Sequence, residues 1–349
     1  MRKLLVFRFS AMGDVIMILP VLKGVLNANK NVEIYLVTQS TFFPFFQGID
    51  RLHTVAIDLK SKHRSFNGLI SLYRNIQKEI KPDIVIDLHC VLRSFFLGLL
   101  FAVNGRKVYR FKKGTLQKLA LVRSKKIKNL KTTIDRYADA FRINGYPVDL
   151  PGVPVFANDT TIDFNSDIFK NPITIGIAPF AKHPQKIWGI DKIDSLIAKI
   201  NDTFQVNVLL FGAGSYEVDL LEKLENKYPN CIISAKHFKL SDEINLMKNL
   251  TLMISMDSAN MHLAAMAGIP TISIWGATHS AFGFVPYNQP EENIIQYPLA
   301  ELKCRPCSVY GNKKCIYSDD IRCMRLITVD SVFDRVLQIL KANSIRIDT

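Results

Sequence analysis

Runs of five to seven residues rich in valine, isoleucine and leucine recur along the chain, and stretches with helical spacing of apolar positions separate them. In the first half this pattern predicts strands over residues 3–9, 32–38, 54–58, 83–89 and 107–111, and helices over 14–27, 66–80, 93–103 and 133–144. Strands that are apolar throughout, with helices between them, predict a parallel sheet covered on both faces. The periodicity stops over residues 145–172, where Pro147, Pro151, Pro154 and Pro172 predict a linker. It resumes with strands expected at 173–179, 206–212, 231–235, 252–256 and 271–275. The matching helices are expected at 191–201, 216–227, 241–248 and 259–267, with a closing helix near 329–343. The expected organisation is an α/β domain over 1–150, a linker over 151–172, a second α/β domain over 173–328 and a C-terminal helix within 329–349. Two such doubly wound, Rossmann-like halves place their ligands beyond the carboxyl ends of the strands, in a central cleft.

Length and composition support this picture. With 349 residues, of which 48% are apolar and 22% charged, the chain can fill two cores and is not a disordered polymer. Charge adds something the pattern does not. The net charge is +14, but residues 1–150 carry 26 Lys/Arg against 10 Asp/Glu, and the remainder carries 19 against 21. No acid lies between Leu88 and Ile134, a stretch that holds twelve bases. A solvated face explains ordinary charge runs. Twelve bases without an acid favour a surface that meets an anionic partner. The longest apolar run, residues 95–103, is far short of the roughly 20 residues that span a membrane. Arg8 and Asp14 interrupt the apolar start of the chain, which argues against a secretion signal. A soluble, cytoplasmic protein is expected.

Four loops can carry chemistry. The first runs from Arg8 through Ser10 and Gly13 to Asp14, where a strand gives way to a helix. It has neither the three glycines of a dinucleotide fingerprint nor the Gly-Lys-Ser/Thr of a P-loop. Asp14 is either a helix cap or a functional carboxylate. In the second loop, Gly212-Ala213-Gly214 precedes Glu217, a carboxylate that suits a first helical turn and can equally accept hydrogen bonds from a ribose. The third contains Asp257, Ser258, Ala259 and His262, a strand end followed at once by a helix of small residues. Free amides at such a helix start can hold a phosphate. His262 there is either a phosphate donor or a core histidine. In the fourth, Lys186 stands near Trp188 and is either a diphosphate partner or a surface lysine.

Taken together and in this order, the loops resemble glycosyltransferase family 9, the ADP-heptose–lipopolysaccharide heptosyltransferases. The resemblance rests on Arg8, Ser10, Gly13, Asp14 and Pro20; on Lys186 and Trp188; on the glycine turn before Glu217; and on Asp257, Ser258, His262, Pro270, Gly276 and Thr278. Ala259, Gly189 and Met17 depart from the family's usual residues. The resemblance implies a GT-B fold and an inverting transfer that needs no cofactor. A sugar, heptose in the first instance, would move from a nucleotide diphosphate donor such as ADP-heptose to a lipid A–Kdo type acceptor in the lipopolysaccharide inner core. It implies Asp14 as general base. Arg8, Ser10 and Gly13 would lie on the acceptor side, and Lys186, Glu217, Asp257, Ser258, Ala259 and His262 on the donor side. An acceptor of that kind makes the inner-membrane surface a partner, with the enzyme peripherally bound on its cytoplasmic face.

Cys304, Cys307, Cys315 and Cys323 form a C-x₂-C-x₇-C-x₇-C pattern that admits a structural zinc site or free thiols. Two rival readings use fewer of the motifs. A nucleic-acid-binding protein would use the basic half, but it lacks stacking or recognition-helix signals and leaves the second half idle. A nucleotide-sugar epimerase of the same architecture leaves the basic surface unexplained.

Overall fold

The structure is a computed structural model that describes residues 1–156 and 170–347, with side chains through residue 342. Much of the linker expected over 151–172 therefore lies outside the described residues. The chain divides into two compact units: residues 1–113 with 131–158, and residues 114–130 with 159–349.

The first unit is a five-stranded sheet of β1 (Arg2–Phe7), β2 (Val32–Thr38), β3 (Leu52–Ala56), β4 (Ile84–Asp87) and β5 (Lys107–Arg110). All neighbours run parallel, in the order β3-β2-β1-β4-β5. Leu4 sits in register with Ile34 on one side and Ile84 on the other. Leu4, Leu5, Val6 and Phe7 are fully buried on consecutive positions, as a strand covered on both faces requires. Leu69, Leu72 and Ile76 of the helix Phe66–Glu79, with Leu97 and Phe101 of the helix Leu92–Val103, close one face over Leu5, Phe7 and Val85. Each such side chain contributes about 1.5–3 kcal/mol on burial.

The second unit repeats the scheme with β6 (Ile173–Ala178), β7 (Val206–Leu210), β8 (Cys231–Ile233), β9 (Leu252–Met256), β10 (Thr271–Trp275) and β11 (Ile294–Gln296). Their order is β11-β10-β9-β6-β7-β8, again all parallel. In both units the chain lays three strands outward in one direction. It then returns to the other side of its first strand. The points of reversal lie between β1 and β4 and between β6 and β9, where open α/β sheets hold ligands.

Several local features differ from the pattern's forecast. The helix expected over 14–27 is two, Met12–Met17 and Leu19–Ala28. Pro20 has no N–H for a helical bond, so the first helix closes at Ile18, whose N–H bonds to the Ile16 carbonyl. A 3-10 turn, Ser40–Phe46, and the three-residue β11 carry too little periodicity to be read. The helix Thr115–Ser124 was also unforeseen. Its leucines and valine are spread around the axis, and only Lys118 and Leu121 are buried. Lys118 lies over the Phe284 ring at 3.9 Å, and the Leu130 N–H bonds to the Ala281 carbonyl at 2.9 Å. Residues 114–130, the middle of the acid-free stretch, thus pack in the second unit.

Candidate active site

At the reversal point of the first unit, β1 delivers Arg8 one residue past its end, where the Arg8 N–H still bonds to the Val37 carbonyl of β2. The Arg8 side chain is buried. Its Nη1 donates to the Leu88 carbonyl beyond β4 at 2.8 Å, its Nη2 pairs with Asp14 Oδ2, and its guanidinium lies over the Tyr137 ring. This one side chain therefore ties the two strands at the switch and holds the candidate base. Asp14 is the third residue of its helix. The N-cap is Ala11, with no side-chain cap, so Asp14 is not a capping residue. Ser10 and Gly13 flank it in the same loop and helix start.

Two residues here escaped the sequence reading. Asp87, at the end of β4, is fully buried and accepts the His89 and Cys90 N–H groups and the Ser94 hydroxyl at 2.8–2.9 Å. It thereby fixes the turn that presents His89. The His89 ring packs on Phe9 at 4.9 Å. Burial, with the charges of Arg8 and Lys113 behind it, pushes His89 down to about 3, so the ring is neutral at physiological pH. A buried Asp-x-His at a strand end was the available signal.

At the reversal point of the second unit, Lys186 follows β6 in a short 3-10 turn and Asp257 follows β9. Lys186 Nζ lies 2.8 Å from Asp257 Oδ2, which also accepts the Thr278 hydroxyl at 2.7 Å. Three loops, after β6, β9 and β10, thus meet on one buried carboxylate. Gly311, at φ +77°, presses on the Lys186 stem, and a Cβ there would sit 2.7 Å from its Cδ. Trp188 is buried and donates its indole N–H to the Ile327 carbonyl, which identifies it as a packing residue.

Ser258 is the N-cap of the helix Ala259–Met266, but its hydroxyl lies 3.2 Å from that of Ser255 and does not cap. The amides of the first turn at Ala259 are therefore not taken up by that side chain, which suits an anion. His262 is buried in the next turn of this helix. Glu217 accepts the Ala213 N–H at 2.8 Å and so closes the glycine turn before the helix Ser215–Lys227. Lys186, Asp257, Ser258, Ala259 and His262 share the switch of this sheet. Glu217 stands after β7, the next strand along it.

Arg305 is a further residue that sequence reasoning passed over. It is buried within the cysteine-rich tail and donates to the carbonyls of Gly276, Tyr297, Trp275 and Thr278. It thereby fastens the loop that carries Thr278. Its signal was the Cys-Arg-Pro-Cys sequence, read only for its thiols. Cys304, Cys307, Cys315 and Cys323 are all free thiols. Burial pushes Cys307 up and Cys323 up to about 12, which favours their protonated forms. Among the described residues no group of three or more His, Cys, Asp or Glu side chains is placed to hold a metal ion.

Known proteins resemble this chain in sequence and in fold. The sequence profile of glycosyltransferase family 9 (heptosyltransferase) matches residues 70–315. Lipopolysaccharide heptosyltransferase 1 of Campylobacter coli is 26% identical over 302 residues, covering 80% of this chain and 85% of that one. A family 9 glycosyltransferase structure from Veillonella parvula superposes with a TM-score of 0.73 at 17% identity over 98% of each chain. The Escherichia coli heptosyltransferase WaaC, solved with ADP and also with ADP-2-deoxy-2-fluoro heptose, superposes at 0.69 with ADP, at 15% identity over 97% of this chain and 99% of that one. The profile covers more than two thirds of the sequence and includes Lys186, Glu217 and the Asp257–Thr278 segment. The chain belongs to glycosyltransferase family 9, the heptosyltransferase family, and is a glycosyltransferase of the GT-B type.

Proposed function

We propose that this enzyme moves a heptose from ADP-heptose to the inner core of lipopolysaccharide, with inversion at the anomeric carbon. The observation that carries the reading is the Lys186–Asp257–Thr278 constellation at the switch point of the second sheet, beside the amides that follow Ser258. An ammonium group has three donors. Lys186 can keep Asp257 and still donate to the diphosphate, so the leaving group meets positive charge without a cofactor. Glu217 accepts from the ribose, and His262 completes the donor side. On the acceptor side the hydroxyl of a lipid A–Kdo type molecule attacks the anomeric carbon. Its proton passes to Asp14 as the bond to the diphosphate breaks. Arg8 holds and aims the Asp14 carboxylate, with Ser10 and Gly13 framing the loop.

An acceptor embedded in the inner membrane calls for an enzyme bound peripherally at its cytoplasmic surface, and the basic first half is suited to that. Among the described residues no helix is long and apolar enough to cross a membrane. A zinc ion at Cys304, Cys307, Cys315 and Cys323 would be structural, and metal analysis of freshly purified, reduced protein decides it.

The test is a thermal-shift panel of ADP, UDP, GDP and CMP, since a ligand bound only by the folded state raises its melting temperature. ADP is expected to stabilise most. Equal response to all four, or none to ADP, overturns the donor assignment.

A further inference from the structure

We propose that the outward face of the helix Leu92–Val103 dips into an anionic lipid bilayer and is the element by which this protein holds the membrane. The inference rests on the peripheral-membrane reading above and names the part of the chain that performs it. The helix is twelve residues long and carries a single charge, Arg93. Its inner face, Leu97 and Phe101, belongs to the core of the first unit. Its outer face is equally apolar: Leu92 is 76% exposed, Phe95 45%, Leu99 55% and Val103 77%. These positions recur at helical spacing and so form one stripe. Phe66, also exposed, lies close by, its ring edge-on to Phe96 at 4.7 Å. A helix apolar on all sides is ordinarily buried on all sides, and a contiguous exposed patch marks a partner.

Charge decides which partner. Arg110 stacks its guanidinium over Phe95 at 4.3 Å, while Lys107 and Lys112 are exposed on the same unit. No acid occurs between Leu88 and Ile134; Asp87, just before that stretch, lies 3.9 Å from Arg110, which leaves Lys107 and Lys112 as the bases of this face. A second copy docked on the same face would bring like charges together as water is expelled. An anionic bilayer offers the opposite charge to the bases and an apolar phase to the leucines and phenylalanines. Binding at such a surface scales with the apolar area buried plus attraction to anionic lipid, and here the helix supplies the first and the neighbouring lysines the second. Long basic side chains at its margin can reach the headgroups while their stems stay against the apolar surface.

The test compares the parent protein with the double variant Leu92→Ser, Leu99→Ser, in which both changes fall on exposed positions. Vesicles of phosphatidylglycerol in phosphatidylethanolamine are compared with vesicles of phosphatidylcholine alone. The parent is expected to float with the anionic vesicles and to bind phosphatidylcholine weakly. The double variant is expected to lose about tenfold or more in affinity for the anionic vesicles. Its melting temperature and its stabilisation by ADP should match the parent's. Leu99→Trp should show blue-shifted emission when anionic vesicles are added.

Equal vesicle binding by parent and double variant, or unshifted Leu99→Trp emission, overturns the proposal. So does a parent dimer that the serines dissociate in the absence of vesicle binding, which would make a second copy the occupant. A parent that ignores ADP counts against the donor reading and leaves the lipid result legible by itself.

Discussion

Asp14 pairs with a guanidinium that is buried and already anchored to the Leu88 carbonyl. Asn in its place keeps the shape and an oxygen for Arg8, but cannot accept the acceptor's proton. Asp14→Asn is therefore expected to lower turnover by about 10²-fold or more while ADP-induced stabilisation stays at the parent's level. The melting temperature should fall only slightly, because Arg8 keeps its carbonyl and loses a charge partner. Turnover near the parent's value would send the search for the base elsewhere. His89 gives a second expectation at this scale. Its folded form resists protonation down to about 3, against an ordinary 6.5, so below 6.5 the unfolded chain takes up a proton that the folded chain refuses. The stability this contributes is present above 6.5 and is lost as pH falls toward 3, by up to about 1.4 kcal/mol per pH unit. Urea unfolding at neutral and mildly acidic pH should show that slope, and His89→Gln should flatten it. His279, pushed down to about 4 by burial and Arg305, adds a slope of the same sign over a narrower pH window.

At the scale of elements, the strands and the loops behind them were legible because buried parallel strands must be continuously apolar. Residues 32–38, 252–256 and 271–275 match β2, β9 and β10 at both ends. Asp14, Lys186 and Asp257 were legible because polar residues stand out where such runs stop. Arg305 was not, since a buried cation held mainly by backbone carbonyls, with the Gln296 side chain beside them, has no acid among the described residues to betray it in the sequence. The helix Thr115–Ser124 was not, because it lacks a one-sided apolar face. The glycine turn before Ser215–Lys227 yields a prediction at this scale. Glu217 closes that turn through the Ala213 N–H, so Glu217→Ala removes both the closure and the acceptor offered to a ribose. Donor affinity should fall about tenfold, as for loss of a charge-assisted hydrogen bond, with turnover at saturating donor changed less. Unchanged affinity for every nucleotide in calorimetry would remove Glu217 from the donor site.

For the whole molecule, the basic surplus of residues 1–150 is less uniform than its count suggests. Lys113 donates to the Cys90 carbonyl, Lys125 to the carbonyls of Cys304 and Pro306, Lys131 pairs with Asp139, and Lys118 is buried against Phe284. Several of the twelve bases are therefore structural fasteners. Lys125 and Lys126 lie in a different unit from Lys112 and Lys113. Any attraction to an anionic surface rests on the exposed remainder, such as Lys107 and Lys112, and weakens with salt.

Because residues 114–130 are built into the second unit, the polypeptide passes from one unit to the other three times. The units are threaded through one another's sequence rather than strung in series, and no single cut separates them. Co-expressed as two pieces, residues 1–156 and 170–349, the protein should assemble and co-purify. The first piece would still supply Lys118 to Phe284, Lys125 to the tail carbonyls and Leu130 to Ala281. The second piece expressed alone should be poorly soluble, with those seats empty. Adding a synthetic peptide of residues 114–130 should recover part of its solubility, making this segment a removable keystone for splitting and regrafting enzymes of this build.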